Sequence, residues 1–208
     1  MKRTIGMLLL CSLVFLSGCS TEAAEETTEA VDETTDVAEE TKEAAEETEI
    51  YMIPESYFEF SSTEAADQAE ASNELGDELC TNAEAVGTGM KLELTDVQRD
   101  NMIKRNDEFA ESLVDDLLQE NEAYHYTGDD SYRKLDFYFD EHVDPMTQIF
   151  ALQGACCCYA YNQILLNHTE DWNVELTIYN CHTNKVVVHA NIPSEDSSWT
   201  PEDWENSY

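Results

Sequence analysis

Residues 144–167, DPMTQIFALQGACCCYAYNQILLN, constrain the fold more than any other stretch of the chain. Asp144 can cap a helix with its carboxylate, and Pro145 suits the first helical position, where a missing N–H costs nothing. Asn167 can take the left-handed conformation that ends a helix. The predicted helix is apolar around much of its circumference, so other elements have to surround it. It is expected at the centre of the molecule. Gln148, Gln153, Asn162 and Gln163 interrupt the apolar run, so a membrane crossing here is not expected.

The neighbouring patterns supply elements that could enclose such a helix. KLDFYFDEHV puts Leu135, Phe137, Phe139 and Val143 on one face of a strand and Asp136, Tyr138, Asp140 and His142 on the other. After the helix, WNVELTIY alternates Val174, Leu176 and Ile178, while KVVVHANI offers Val186, Val188, Ala190 and Ile192. NCHTNK between them suits a tight hairpin with Asn184 at positive φ. Upstream, MKLEL alternates Met90, Leu92 and Leu94 as a first strand. Thr95 and Gln98 then stand at capping-box spacing before a stripe of Val97, Met102, Ile103, Phe109, Leu113, Val114, Leu117 and Leu118. AYHYTGDDSY reads as a loop. The order β-α-β-α-β-β predicts an α+β fold over residues 90–193, a small sheet of about four strands packed with two helices. The helix between the second and third strands permits a parallel crossover.

The flanks are acidic. Residues 20–49 hold 13 acidic side chains and one basic, Lys42, among Ala and Thr, and TEAAEET returns as KEAAEET. No apolar face exists there for packing, so this is a solvated tether. Residues 50–89 read as partly ordered, because YMIPESYFEF has aromatics enough to dock; a continuing stalk is the alternative. Residues 194–208, SEDSSWTPEDWENSY, are either disordered or a short docking peptide. With 46 acidic and 10 basic residues the net charge is -36. That charge repels phosphate backbones and anionic headgroups over a Debye length of about 8 Å. Nucleic acid is excluded as a partner, whereas cationic peptides, metal ions and neutral ligands are compatible.

At the start of the chain, Lys2 and Arg3 precede an apolar run over residues 5–16, too short to span a bilayer and of the length of an export signal. It ends in Leu16, Ser17, Gly18 and Cys19. This LSGC resembles the lipobox of bacterial lipoproteins, and the resemblance covers residues 1–19 alone. It implies cleavage between Gly18 and Cys19 and a diacylglyceryl thioether on Cys19, with palmitate-like chains. Burial of acyl chain contributes about 0.8 kcal/mol per CH₂, and two chains suffice for stable attachment. The resemblance places the protein on the extracytoplasmic face of a bacterial cell membrane, or on the outer membrane of a Gram-negative cell, since Ser20 is not the aspartate that retains lipoproteins on the inner membrane. The chain then divides into a signal (1–18), lipidated tether (19–49), partly ordered segment (50–89), globular domain (90–193) and tail (194–208).

Candidate chemistry is sparse. Cys156, Cys157 and Cys158 fan over about 200° of a helix, with Cys157 at heptad spacing from Phe150 and Ile164 and therefore inward. They read first as unreactive core thiols, next as disulfide partners of Cys181 or Cys80, and last as redox or metal groups. His125, His142, His168, His182 and His189 make no zinc-ligand spacing. No nucleophile motif or phosphate-cradling loop occurs. No catalytic residue, metal or cofactor is therefore expected. The expected function is a non-enzymatic binding or interaction domain for a protein, peptide or small molecule. Tyr138, Asp140, His142, Glu175, Thr177 and Tyr179 form its candidate surface. The competing reading is a secreted hydrolase or thiol redox enzyme, which a thiol beside a histidine in a cleft would favour.

Overall fold

The computed structural model describes residues 47–76 and 78–208; the residues read as signal and lipobox, and nearly all of those read as tether, lie outside the described residues. The fold is α+β, with five helices and two sheets among those residues.

The apolar helix, α4 here (Pro145–Asn167), is central. The Asp144 carboxylate accepts from the backbone N–H groups of Met146 and Thr147, both at 3.0 Å. The left-handed residue at its other end is His168 rather than Asn167, whose side chain donates back to the Gln163 carbonyl at 3.0 Å. Ala151, Ala155, Ala160, Ile164 and Leu165 are fully or almost fully buried. By length and composition the helix could cross a membrane, but most of it is buried within the protein. Its four polar interruptions all find partners. Gln148 donates to the Val143 carbonyl, Gln153 to that of Phe60, and Asn162 to Asp107. Gln163 donates to the carbonyls of Tyr132 and Asn173 and accepts from the Asn173 N–H. Buried amides satisfied in this way specify one docking position for the helix, because leaving one unpaired costs about 1–3 kcal/mol.

Helix α3 (Asp96–Gln119) packs along α4. Both arms of the predicted capping box form, Gln98 N to Thr95 Oγ1 at 3.2 Å and Thr95 N to Gln98 Oε1 at 2.8 Å. Met102, Val114 and Leu117 are buried, whereas Val97 in the first turn stays 60% exposed.

One sheet has the order β4 (His125–Gly128), β5 (Lys134–Phe139), β6 (Val174–Asn180) and β7 (Val186–Ile192). β5 and β6 are parallel, with α4 as their crossover; the other two pairings are antiparallel. Leu135, Phe137, Phe139, Val174, Leu176 and Ile178 are buried on its inner side. Asn184 takes the expected positive φ of 57° in the β6–β7 turn. An irregularity between Ile178 and Tyr179 shifts the register, so that Val187 is buried where Val186 was expected.

Three sequence expectations need correction. Residues 90–94 do not join this sheet: as β3 (Gly89–Leu94) they lie between β1 (Glu49–Ile53) and β2 (Asn82–Val86) in a separate antiparallel sheet. The fourth strand is β4, inside the stretch read as a loop; it is four residues long and mostly exposed, so it carries no alternation. At Gly128 in β4 a Cβ would stand 1.6 Å from the Tyr159 hydroxyl oxygen, so any larger residue there would displace that ring. Finally, packing reaches beyond 90–193. Helices α1 (Glu55–Ser61) and α2 (Ala65–Glu74) bury Tyr57, Phe58, Ala65 and Ala69, and the tail forms α5 (Pro201–Ser207), which buries Trp204 against Phe139. The aromatics of YMIPESYFEF dock as the sequence led one to expect, and of the two readings of the tail the docking one is seen; what changes is the extent of the core, which is not confined to 90–193.

Candidate functional site

The parallel register sets Phe139 beside Asn180, so the residues that follow, Asp140 and Cys181, emerge together at the carboxyl ends of the paired strands. Cys181 N donates to the Phe139 carbonyl at 3.0 Å and prolongs the pairing. Loops beyond the carboxyl ends of parallel strands are the usual ligand position in open sheets with helical crossovers.

Asp140 is the hub. Its carboxylate is buried, accepts from the Tyr124 hydroxyl at 2.6 Å and from His142 N at 2.9 Å, and lies 3.2 Å from His142 Nδ1, all through Oδ1. Oδ2 lies 3.0 Å from His182 Nε2. Burial alone would raise this carboxyl; the hydrogen bonds from Tyr124, His142 and His182 outweigh it and hold the group below its ordinary value. Burial, reinforced by the charge of Asp140, pushes the neighbouring Cys181 thiol up. One donor atom each from Asp140, Cys181 and His182 lies within 4.8 Å of the others, and Asp140, Glu141 and His142 form a second such group.

The first group is convergent rather than serial. In a nucleophilic relay the acid and the sulfur occupy opposite sides of the imidazole, and the thiol is depressed. Here carboxylate, imidazole and sulfur gather about one point and the thiol is raised.

Next to the hub, a cleft of about 620 Å³ opens between the start of α4 and α5. Trp199, Trp204, Tyr208 and Ile149 form its apolar walls, with Glu141 and Gln148 as polar groups. The Tyr208 hydroxyl donates to Glu141, and Lys185 donates to the Tyr208 carbonyl. Asn180 donates to Ser207 Oγ at 2.9 Å, which fastens α5 to the β6–β7 turn.

The structure divides the predicted surface. Tyr138, Glu175, Thr177 and Tyr179 lie on the outer face of the four-stranded sheet, while Asp140 and His142 belong to the hub at its end. Tyr138 stacks on Tyr179 at 4.8 Å and on His125 at 4.2 Å. Rings stacked on one another show mainly their edges, so this row is a poor stacking platform. Thr177 is buried and its Oγ1 lies 3.3 Å from His189 Nδ1. Beneath the rings, Asp136 Oδ1 is the one buried side-chain polar atom without a hydrogen-bond partner among the described residues. Cys80, Cys156, Cys157 and Cys158 are buried, and Cys181 is half-buried. Burial pushes Cys156 up to about 12. No disulfide with Cys80 or Cys181 joins them among the described residues.

Tyr124 was not singled out from sequence; His182 was named only among five histidines without ligand spacing, and the aromatic tail only as one of two readings. NCHTNK carried His182 beside the flagged Cys181, but Tyr124 reaches Asp140 only through the β4–β5 pairing. No family model matches the chain, and neither the curated proteins nor the solved structures compared with it give a match.

Proposed function

We propose that the chain is a lipid-anchored, extracytoplasmic binding module that takes a small-molecule or peptide ligand in the cleft between α4 and α5. The observation that carries the reading is the cleft: its volume falls within the range of ordinary ligand sites, and its aromatic walls converge on a few polar groups. The LSGC sequence supports the anchor, and the tether holds the domain clear of the bilayer. Ligands with a positive or neutral group next to an apolar ring match Glu141 beside Trp199 and Trp204. A thiol hydrolase is disfavoured by the raised Cys181 and its convergent neighbours.

The test uses the protein in its own membrane and then purified. Cys19→Ser is expected to release it from the envelope fraction and to abolish labelling by an alkynyl palmitate; equal sedimentation of both forms defeats the anchor. Two of the three tryptophans line the cleft, so indole emission reports its occupancy. A panel of short cationic and aromatic peptides is expected to include ligands that shift the emission of the parent but not of Ile149→Arg. Ile149 is 44% exposed at the cleft, so arginine there blocks the opening without entering the core. A panel that moves neither protein, or both alike, defeats the cleft reading.

A further inference from the structure

We propose that Asp140, Cys181 and His182 form a binding site for a zinc-class divalent ion. The donor set selects the metal. Sulfur and imidazole together suit a borderline-soft ion such as zinc and disfavour calcium or magnesium, which take oxygen. The donors are already gathered: one atom from each of the three residues lies within 4.8 Å of the other two. Asp140 Oδ2 and His182 Nε2, 3.0 Å apart, are close to the edge of about 3.3 Å expected between ligands of a tetrahedral ion with bonds near 2.0–2.1 Å.

The surroundings are those of a ligand-positioning shell. The Tyr124 hydroxyl and the His142 backbone N–H fix the Asp140 carboxylate from the side away from His182. Such outer contacts orient a ligand before the ion arrives. Cys181 is fixed through its backbone bond to Phe139, so two parallel strand ends present the acid and the sulfur in register. His182 follows Cys181 directly, and its backbone N–H donates to Asn180 Oδ1 at 2.9 Å. The imidazoles of His182 and His142 remain open to solvent, which gives the ion an entry path. Glu141 adds a further negative charge at the rim. Uptake replaces the thiol proton: a sulfur–zinc bond forms, the S–H bond breaks, and the proton leaves to water. The ion binds at the strand ends whether or not the adjoining cleft holds a ligand.

The test begins with the reduced, chelator-treated full chain and Co²⁺ as probe. One equivalent is expected to give the thiolate-to-cobalt charge-transfer band and the visible bands of a tetrahedral site, both removed by Zn²⁺. X-ray absorption of the zinc form is expected to show one sulfur near 2.3 Å among lighter ligands near 2.0–2.1 Å. That spectrum needs no variant, so it stands even if a substitution unfolds the domain. Cys181→Ser is expected to abolish the charge-transfer band, and His182→Ala to weaken binding at least about tenfold. Tyr124→Phe, which touches no ion, is expected to weaken it by about tenfold while the band persists. Cys80→Ser leaves all readouts unchanged. Failure to bind one equivalent, a shell without sulfur or with several, or binding indifferent to Cys181→Ser would overturn the proposal.

Discussion

Asp136 and Asp140 lie four residues apart on the same side of one chain segment, both are buried, and their treatment by the fold is opposite. Asp140 engages both oxygens, with a phenol, a backbone amide and two imidazoles around it. Asp136 has only Lys134 at 3.5 Å on one oxygen and no hydrogen-bond partner for the other. The difference lies in position. Mid-strand, the backbone amides are taken by the ladder, and the residues directly across from Asp136 are Thr127 and Thr177, neither of which hydrogen-bonds its Oδ1. At the strand end the backbone turns, and free amides and loop side chains can close on a carboxylate. Polar interactions are therefore concentrated where β5 and β6 stop, which is also where the cleft opens.

The comparison can be broken most directly by Asp140→Ala, which leaves the Tyr124 hydroxyl and the His142 amide without their acceptor. A loss of about 2–3 kcal/mol is expected, read as a lower urea midpoint at unchanged slope. Tyr124→Phe removes one donor and is expected to cost about 1 kcal/mol. Combined with Asp140→Ala it should add almost nothing, because the partner is already gone, and a double-mutant cycle measures that coupling. Asp136→Ala sharpens the contrast from the other side. It removes an unpartnered acceptor and a weak, partly exposed ion pair, so stability is expected to change by less than about 0.5 kcal/mol or to rise. A loss for Asp136→Ala as large as for Asp140→Ala would remove the distinction between the two positions.

How much of this could be read beforehand follows the reach of each signal. The alternation of Leu135, Phe137 and Phe139, the capping pair Thr95 and Gln98, and the Asp144–Pro145 start are local, and the structure contains all three. The β1–β3 pairing joins Glu49 to Leu94 across a long separation, and nothing in EIYMI names its partner. β4 is too short to alternate. At the site, Asp140 and His142 meet locally, two residues apart, but the approach of Asp140 to Cys181 and His182 depends on the register that sets Phe139 against Asn180. No spacing rule within the sequence encodes that register. The tail aromatics were noted, yet their docking depends on Phe139 and the turn at Asn180.

The four amides of α4 take on a further meaning under the lipid anchoring proposed above. Under the export proposed above, a segment so apolar would meet lipid before it met its own sheet. Gln148, Gln153, Asn162 and Gln163 make it an unwelcome guest there, since an unpaired amide in hydrocarbon costs several kcal/mol. The same side chains that stitch the helix to Val143, Phe60, Asp107 and Asn173 would then bias its fate toward the aqueous side. Leucine at all four would leave a stretch equally suited to either solvent.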